Sequence, residues 1–95
     1  MIVRELIAEL VSIALERAQS EQILPETSKL EVVVEKPQNP THGDFATSVA
    51  LKLAKPMRKS PLQIAEIISA NIPDNDVLEK IWAAPPGFVN VTLNP

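Results

Sequence analysis

Apolar and polar positions along this chain change period several times. From about Ile2 to Gln19 the spacing is helical: Val3, Leu6, Ile7, Leu10, Ile13, Ala14 and Arg17 recur on one face at steps of three and four. Arg4, Glu5, Glu9, Ser12 and Glu16 lie mostly opposite. Pro25 ends any continuation, because proline has no amide to donate. In "KLEVVVEKP" the period falls to two. Leu30, Val32 and Val34 alternate with Glu31, Val33 and Glu35, which predicts a strand with one buried face. Pro37 and Pro40 then force an extended loop.

A helical pattern returns with Phe45, Val49 and Leu53, and Asp44 stands where an N-cap carboxylate would accept from the free amides of the first turn. Pro56 closes this helix. The next begins at once: Ser60 caps, Pro61 takes the first helical position and Gln63 completes a capping box. Its stripe is Leu62, Ala65, Ile68 and Ile72, and Pro73 stops it. "PDND" is a turn. Two strands follow, roughly Leu78 to Ala83 and Phe88 to Leu93, joined through "APPG". The order helix, strand, helix, helix, strand, strand predicts an α+β fold: a small antiparallel or mixed sheet of three to four strands with helices packed on one face. Nothing in the pattern covers the opposite face.

The composition narrows the class. Ninety-five residues make one domain, with 45% hydrophobic and 22% charged residues and the charges interspersed. No cysteine is present, so disulfides and thiolate metal sites are excluded and a reducing compartment fits. Apolar runs are interrupted by Glu and Arg, so no membrane partner is expected, and "MIVRELIAEL" lacks the form of a signal peptide. A net charge of −3 argues against a free-standing nucleic-acid binder. The charge is uneven, however. From Phe45 to Ala65 there is no acid, while Lys52, Lys55, Arg58 and Lys59 all fall in that stretch.

Candidate chemistry is sparse. His42 is the only histidine, and "THGD" offers no nucleophile and too few ligands for a metal. It reads as a turn, with Gly43 for an unusual backbone angle, Asp44 as cap and His42 as a loop hydrogen-bonder. Two distant glycines write no phosphate-binding fingerprint. Asp74 and Asp76 sit in a polar turn. The basic cluster serves the helix dipole or a phosphate. The last strand is the sharpest clue. If Val89, Val91 and Leu93 enter the core, Phe88, Asn90 and Thr92 point to the open face. An exposed ring stacks on an unpaired base, and a neighbouring amide hydrogen-bonds its edge; alternatively Phe88 folds over the core edge or against Trp82.

Two segments carry a family likeness. "VEKPQNPTHGDFATSVALKLAK", Val34 to Lys55, resembles the signature E-x-P-(x)n-H-G-D-[FY]-[AS]-[TS]-x-x-A-[ML]-x-L-[AS] of the N-terminal additional domain of arginyl-tRNA synthetases. "AAPPGFVNVTL" resembles the same domain's closing A-G-P-G-F-[IV]-N-[FV]-x-L. The two occur in order, and the likeness spans essentially the whole chain. The resemblance implies a small α+β unit of a cytoplasmic class I enzyme, a parent expected to be monomeric, which uses ATP and Mg to join arginine to its tRNA. In such a unit the closing aromatic and amide, here Phe88 and Asn90, meet nucleotides of the tRNA D-loop. The expected partners are therefore tRNA and the catalytic domain of the same chain. Lys52, Lys55, Arg58 and Lys59 would contact phosphates if they share that side. Pro85–Pro86 stands where many relatives have Gly-Pro, and Ala84 and Pro85 offer no polar side chain there. The ATP-site signatures of the family are absent, so residues 1–95 are expected to be one domain excised from a longer enzyme, without catalytic residues, cofactor or metal of their own. The alternative is a docking domain whose open sheet face packs on the catalytic body. An independent enzyme using His42 ranks last.

Overall fold

The computed structural model describes residues 3–26 and 31–94. They form helix α1 (Val3–Ser20), strand β1 (Val34–Glu35), a 3-10 turn (Pro40–His42), strand β2 (Phe45–Thr47), helices α2 (Val49–Met57) and α3 (Pro61–Asn71), and strands β3 (Leu78–Ala84) and β4 (Phe88–Leu93). The strands make one antiparallel sheet in the order β1-β2-β4-β3. The α+β expectation holds, with four strands.

Burial along α1 follows Ile7, Leu10, Val11, Ala14, Leu15 and Ala18. The true inward stripe is therefore turned from the expected one: Ile13 is only half-buried and Arg17 is exposed. The chain leaves α1 in a tight αL turn. Gln22 has φ 62, and the amides of Ile23 and Leu24 both donate to the Ala18 carbonyl. α3 lies against both α1 and α2 and rests on β3 and β4, burying Ile64, Ala65 and Ile68. Its N-cap and first position are as expected: Ser60 Oγ accepts from the Gln63 amide at 3.1 Å, with Pro61 at the first position, whereas among the described residues no return bond from the Gln63 side chain completes the box. Ile64 was missing from the expected stripe and is fully buried.

Three local readings need correction. The strand expected over Leu30–Val34 pairs only at Val34 and Glu35; Leu30 lies outside the described residues. Alternation nonetheless survives in burial, since Val33 is exposed while Val34 is buried. Asp44 caps no helix. Phe45–Thr47 is a strand, pairing Phe45 with Val91 and Thr47 with Val89, and the helix begins only after Ser48. There the Thr47 hydroxyl, not Asp44, accepts from the first helical amide, that of Val49, at 3.3 Å. Finally, Pro56 sits inside α2. The helix runs one residue further to Met57 and ends at Arg58, which adopts the left-handed conformation with φ 55.

The core lies between the helices and one sheet face. Val34, Val89 and Val91 are buried there together with Val49, Leu53 and Met57 of α2. Leu93 and Phe45 pack at its margin, and the Arg4 guanidinium sits 5.7 Å from the Phe45 ring centre. The register then dictates the other face. Glu35 pairs with Ala46, Ala46 with Asn90 and Asn90 with Trp82, so these four form one row on the side away from the helices. No described helix is long and apolar enough to cross a membrane.

Candidate functional site

The second sheet face is not bare. The segment from Lys36 to His42 folds across it and turns it into a cleft of about 530 Å³. One wall is this loop, with Lys36, Pro37, Gln38, Asn39 and His42; the floor is Ala46, Ala84, Phe88 and Asn90; Glu35, the one carboxylate of the described lining, stands beside Lys36, and Ser48 and Pro85 stand at the edges. Of the two prolines expected to force an extended loop, Pro37 lines the cleft, while Pro40 opens the 3-10 turn.

The loop is anchored by "HGD". Gly43 has φ +93, the unusual angle expected of it. It is also packed tightly. A Cβ there would lie 2.6 Å from the Val91 carbonyl oxygen and 3.0 Å from the edge of the Trp82 indole. The Trp82 ring, rising from β3, thus reaches over β4 to the loop. Asp44 completes the anchor from both ends: its amide donates to the Val91 carbonyl at 2.8 Å, and its Oδ2 accepts from the Leu93 amide at 2.7 Å. Its role is a clasp between loop and last strand. His42 is exposed and lines the cleft.

Phe88 and Asn90 lie together in the cleft floor, as alternation along β4 requires. Phe88 is half-buried and not sealed beneath the helices. Asn90 is far more enclosed than an open sheet face implied, at 3% exposure, flanked across the strands by Ala46 and Trp82. Its Oδ1 has no hydrogen-bond partner among the described residues, and neither has Thr92 Oγ1 on the same side of the strand. A buried amide oxygen without a donor carries an uncompensated desolvation cost of about 1–3 kcal/mol.

The four cations do not enter the cleft. Lys52, Lys55 and Arg58 are exposed along and just beyond α2. Lys59 lines a different groove, with Gln19, Ser20, Gln22 and Glu26 at the end of α1. The cation that does line the cleft is Lys36, which the sequence reading passed over along with Gln38 and Asn39. Its signal was present, a lysine directly after the last strand residue of a proline-rich loop, but only the folding back of that loop gives it a role. Among the described residues no group of three His, Cys, Asp or Glu is placed to hold a metal.

Comparison with known proteins is specific. Residues 5–93 match the family described as "Arginyl tRNA synthetase N terminal domain". The chain is 36% identical over 91 residues to the arginine–tRNA ligase of Idiomarina loihiensis, covering 96% of this chain and 16% of that protein. It is 41% identical over 80 residues to that of Aromatoleum aromaticum, covering 84% of this chain and 14% of the relative. The chain thus spans about a sixth of the length of such relatives. Among solved structures, the arginyl-tRNA synthetase of Thermus thermophilus superposes with a TM-score of 0.74 at 22% identity, over 98% of this chain and 14% of that one. That of Plasmodium falciparum gives 0.77 at 21% identity, over 97% and 16%. The two superpositions establish a common fold. With the family match running from the first helix to the last strand, the chain belongs to the arginyl-tRNA synthetase N-terminal domain family.

Proposed function

We propose that this chain is the tRNA-recognition domain of a cytoplasmic arginine–tRNA ligase and that its cleft receives an unpaired nucleotide of the tRNA D-loop. The supporting observation is that Phe88, half-buried, and Asn90 lie together in the cleft lining on one side of β4. A base stacked on Phe88 presents its edge to the Asn90 carboxamide. Of the four expected cations, Lys52, Lys55 and Arg58, exposed along and just beyond α2, are the candidates for phosphate contact, while Lys59 lines the groove at the end of α1. Aminoacylation itself, with ATP and Mg, belongs to a catalytic domain elsewhere in the longer, monomeric enzyme.

The alternative, a docking domain that packs its sheet face on the catalytic body, is disfavoured by shape. That face is a concave, loop-walled cleft with one carboxamide, that of Asn90, in its otherwise apolar floor, not a flat surface. Titration of the chain with a tRNAArg transcript separates the two readings. Binding should be weak, and Phe88→Ala should weaken it by the roughly 1–3 kcal/mol of one stacked base. Equal affinity of Phe88→Ala and the parent chain removes the base-recognition reading.

A further inference from the structure

The cleft leaves open where the rest of the RNA runs, and α2 answers that. Ser48, immediately before α2, stands at the cleft edge. Lys52 and Lys55 follow at i+4 and i+7, so they ride on the same stripe of the helix surface. The inward side of that helix is taken by Val49, Ala50, Leu53 and Met57, which leaves the two lysines facing solvent. At 1.5 Å per residue they stand about 6 and 10 Å along the axis from Ser48. A second contact ties this helix to the ring of the cleft. Gly87, next to Phe88, is buried so closely that a Cβ there would lie 3.2 Å from Leu51 Cδ2 and 2.5 Å from Pro61 Cβ. Lys52 is therefore the chain neighbour of Leu51, which packs on the turn leading into Phe88. On the opposite wall stands Lys36.

We infer that the RNA backbone follows a line of three cations, Lys36 on the loop wall, then Lys52 and Lys55 along α2, with the cleft and its base between them. The path deepens the RNA-binding reading and rests on it. It excludes Lys59, which the fold directs into the groove at the end of α1 beside Glu26. No carboxylate occurs in the chain from Phe45 to Ala65, so none on α2 opposes a phosphate; the one carboxylate of the described cleft lining is Glu35, next to Lys36. The partner it fits is a looped or single strand, whose one unstacked base is splayed into the cleft while neighbouring phosphates stay on the surface.

Salt dependence tests the path. The affinity of the chain for a tRNAArg transcript is measured between 50 and 200 mM KCl for the parent and for Lys36→Gln, Lys52→Gln, Lys55→Gln and Lys59→Gln. Each of the first three should reduce the slope of log K against log[salt] by about 0.7, the value for one single-strand phosphate contact, and the Lys52/Lys55 double variant by about twice that. Lys59→Gln should keep the parent slope. Unchanged slopes in the Lys52 and Lys55 variants overturn the path, as does an equal loss in Lys59→Gln, which would mean diffuse attraction, or an absence of salt-dependent binding by the parent. Phe88→Ala keeps the two claims apart. If it weakens binding at constant slope while the lysine variants change nothing, base recognition stands and the path falls. If it has no effect while the lysine variants flatten the slope, the path stands and the stacked base falls.

Discussion

Asp44 and Leu93 are joined across 49 residues of sequence: the Asp44 carboxylate accepts from the Leu93 amide at 2.7 Å. The same residue's amide donates to Val91, so the end of the cleft loop is clasped to the last strand at two points. Replacing Asp44 by Ala removes the charged acceptor from an exposed site and should cost about 1 kcal/mol. Native-state hydrogen exchange locates the loss. The Leu93 amide should exchange faster, while the amides of the first turn of α2 keep their protection. Faster exchange confined to α2 would restore the helix-cap reading and contradict the clasp.

Gly43 is the point where the loop comes closest to the sheet. With φ +93 and the Val91 carbonyl 2.6 Å from a virtual Cβ, no side chain fits without displacing backbone. Gly43→Ala should cost at least about 1–3 kcal/mol through backbone strain, before the collision is counted. For a domain of this size that is a fall in Tm of about 4–8 °C per kcal/mol. A melting curve unchanged from the parent would show that the loop does not seat as described.

Asn90→Val predicts opposite effects on stability and binding. Valine suits a strand and removes a buried acceptor that has no partner among the described residues. The free chain should gain about 1 kcal/mol in urea unfolding. RNA affinity should fall, because the edge of the base loses the carboxamide it faces. Such a trade is expected where a functional group is held at the expense of stability. A variant both less stable and unaltered in RNA binding would mark Asn90 as a structural residue.

Gly87→Ala should couple fold and binding. The added methyl meets Pro61 at 2.5 Å and Leu51 at 3.2 Å, and Pro61 at the head of α3 has little room to yield. The hairpin must shift, and Phe88 with it. The expected result is a lower Tm together with weaker tRNA binding, whereas Phe88→Ala should weaken binding with a smaller effect on Tm. Identical behaviour of the two variants in both measurements would show that the turn does not position the ring.

Trp82 supplies an internal reporter. It is the only tryptophan, it pairs with Asn90 across the strands, and its ring lies against Gly43. Ligand entry between the loop and Asn90 should alter its emission, saturating at the RNA concentration that gives half-binding by an independent method. A constant emission through saturation would mean that the RNA sits elsewhere.

Much of this molecule was legible along the chain because it is decided within a few residues. The Ser60–Pro61–Gln63 start of α3 depends on one hydroxyl and an amide three residues on. The faces of β4 follow from alternation alone, so Val89 and Val91 go in and Phe88 and Asn90 go out. The left-handed turn at Gly43 follows from its lack of a Cβ. The short apolar run Phe45–Thr47 was read as helix because Phe45, Val49 and Leu53 keep helical spacing. Three residues hold no period of their own, and the unpaired edge of β4 takes them as a strand.

The sequence by itself determined which residues are apolar, where α3 starts and which side chains of the last strand share a face, since each is a matter of local sterics and short-range hydrogen bonds. Only the tertiary structure decided that the proline-rich loop folds over that face, that Asp44 finds its partner on β4 instead of in a helix, and that Lys36 joins the cleft while Lys59 leaves for another groove. Those outcomes depend on contacts between segments far apart in the chain. No local pattern records them, because the partner that selects each conformation is absent until the sheet has closed.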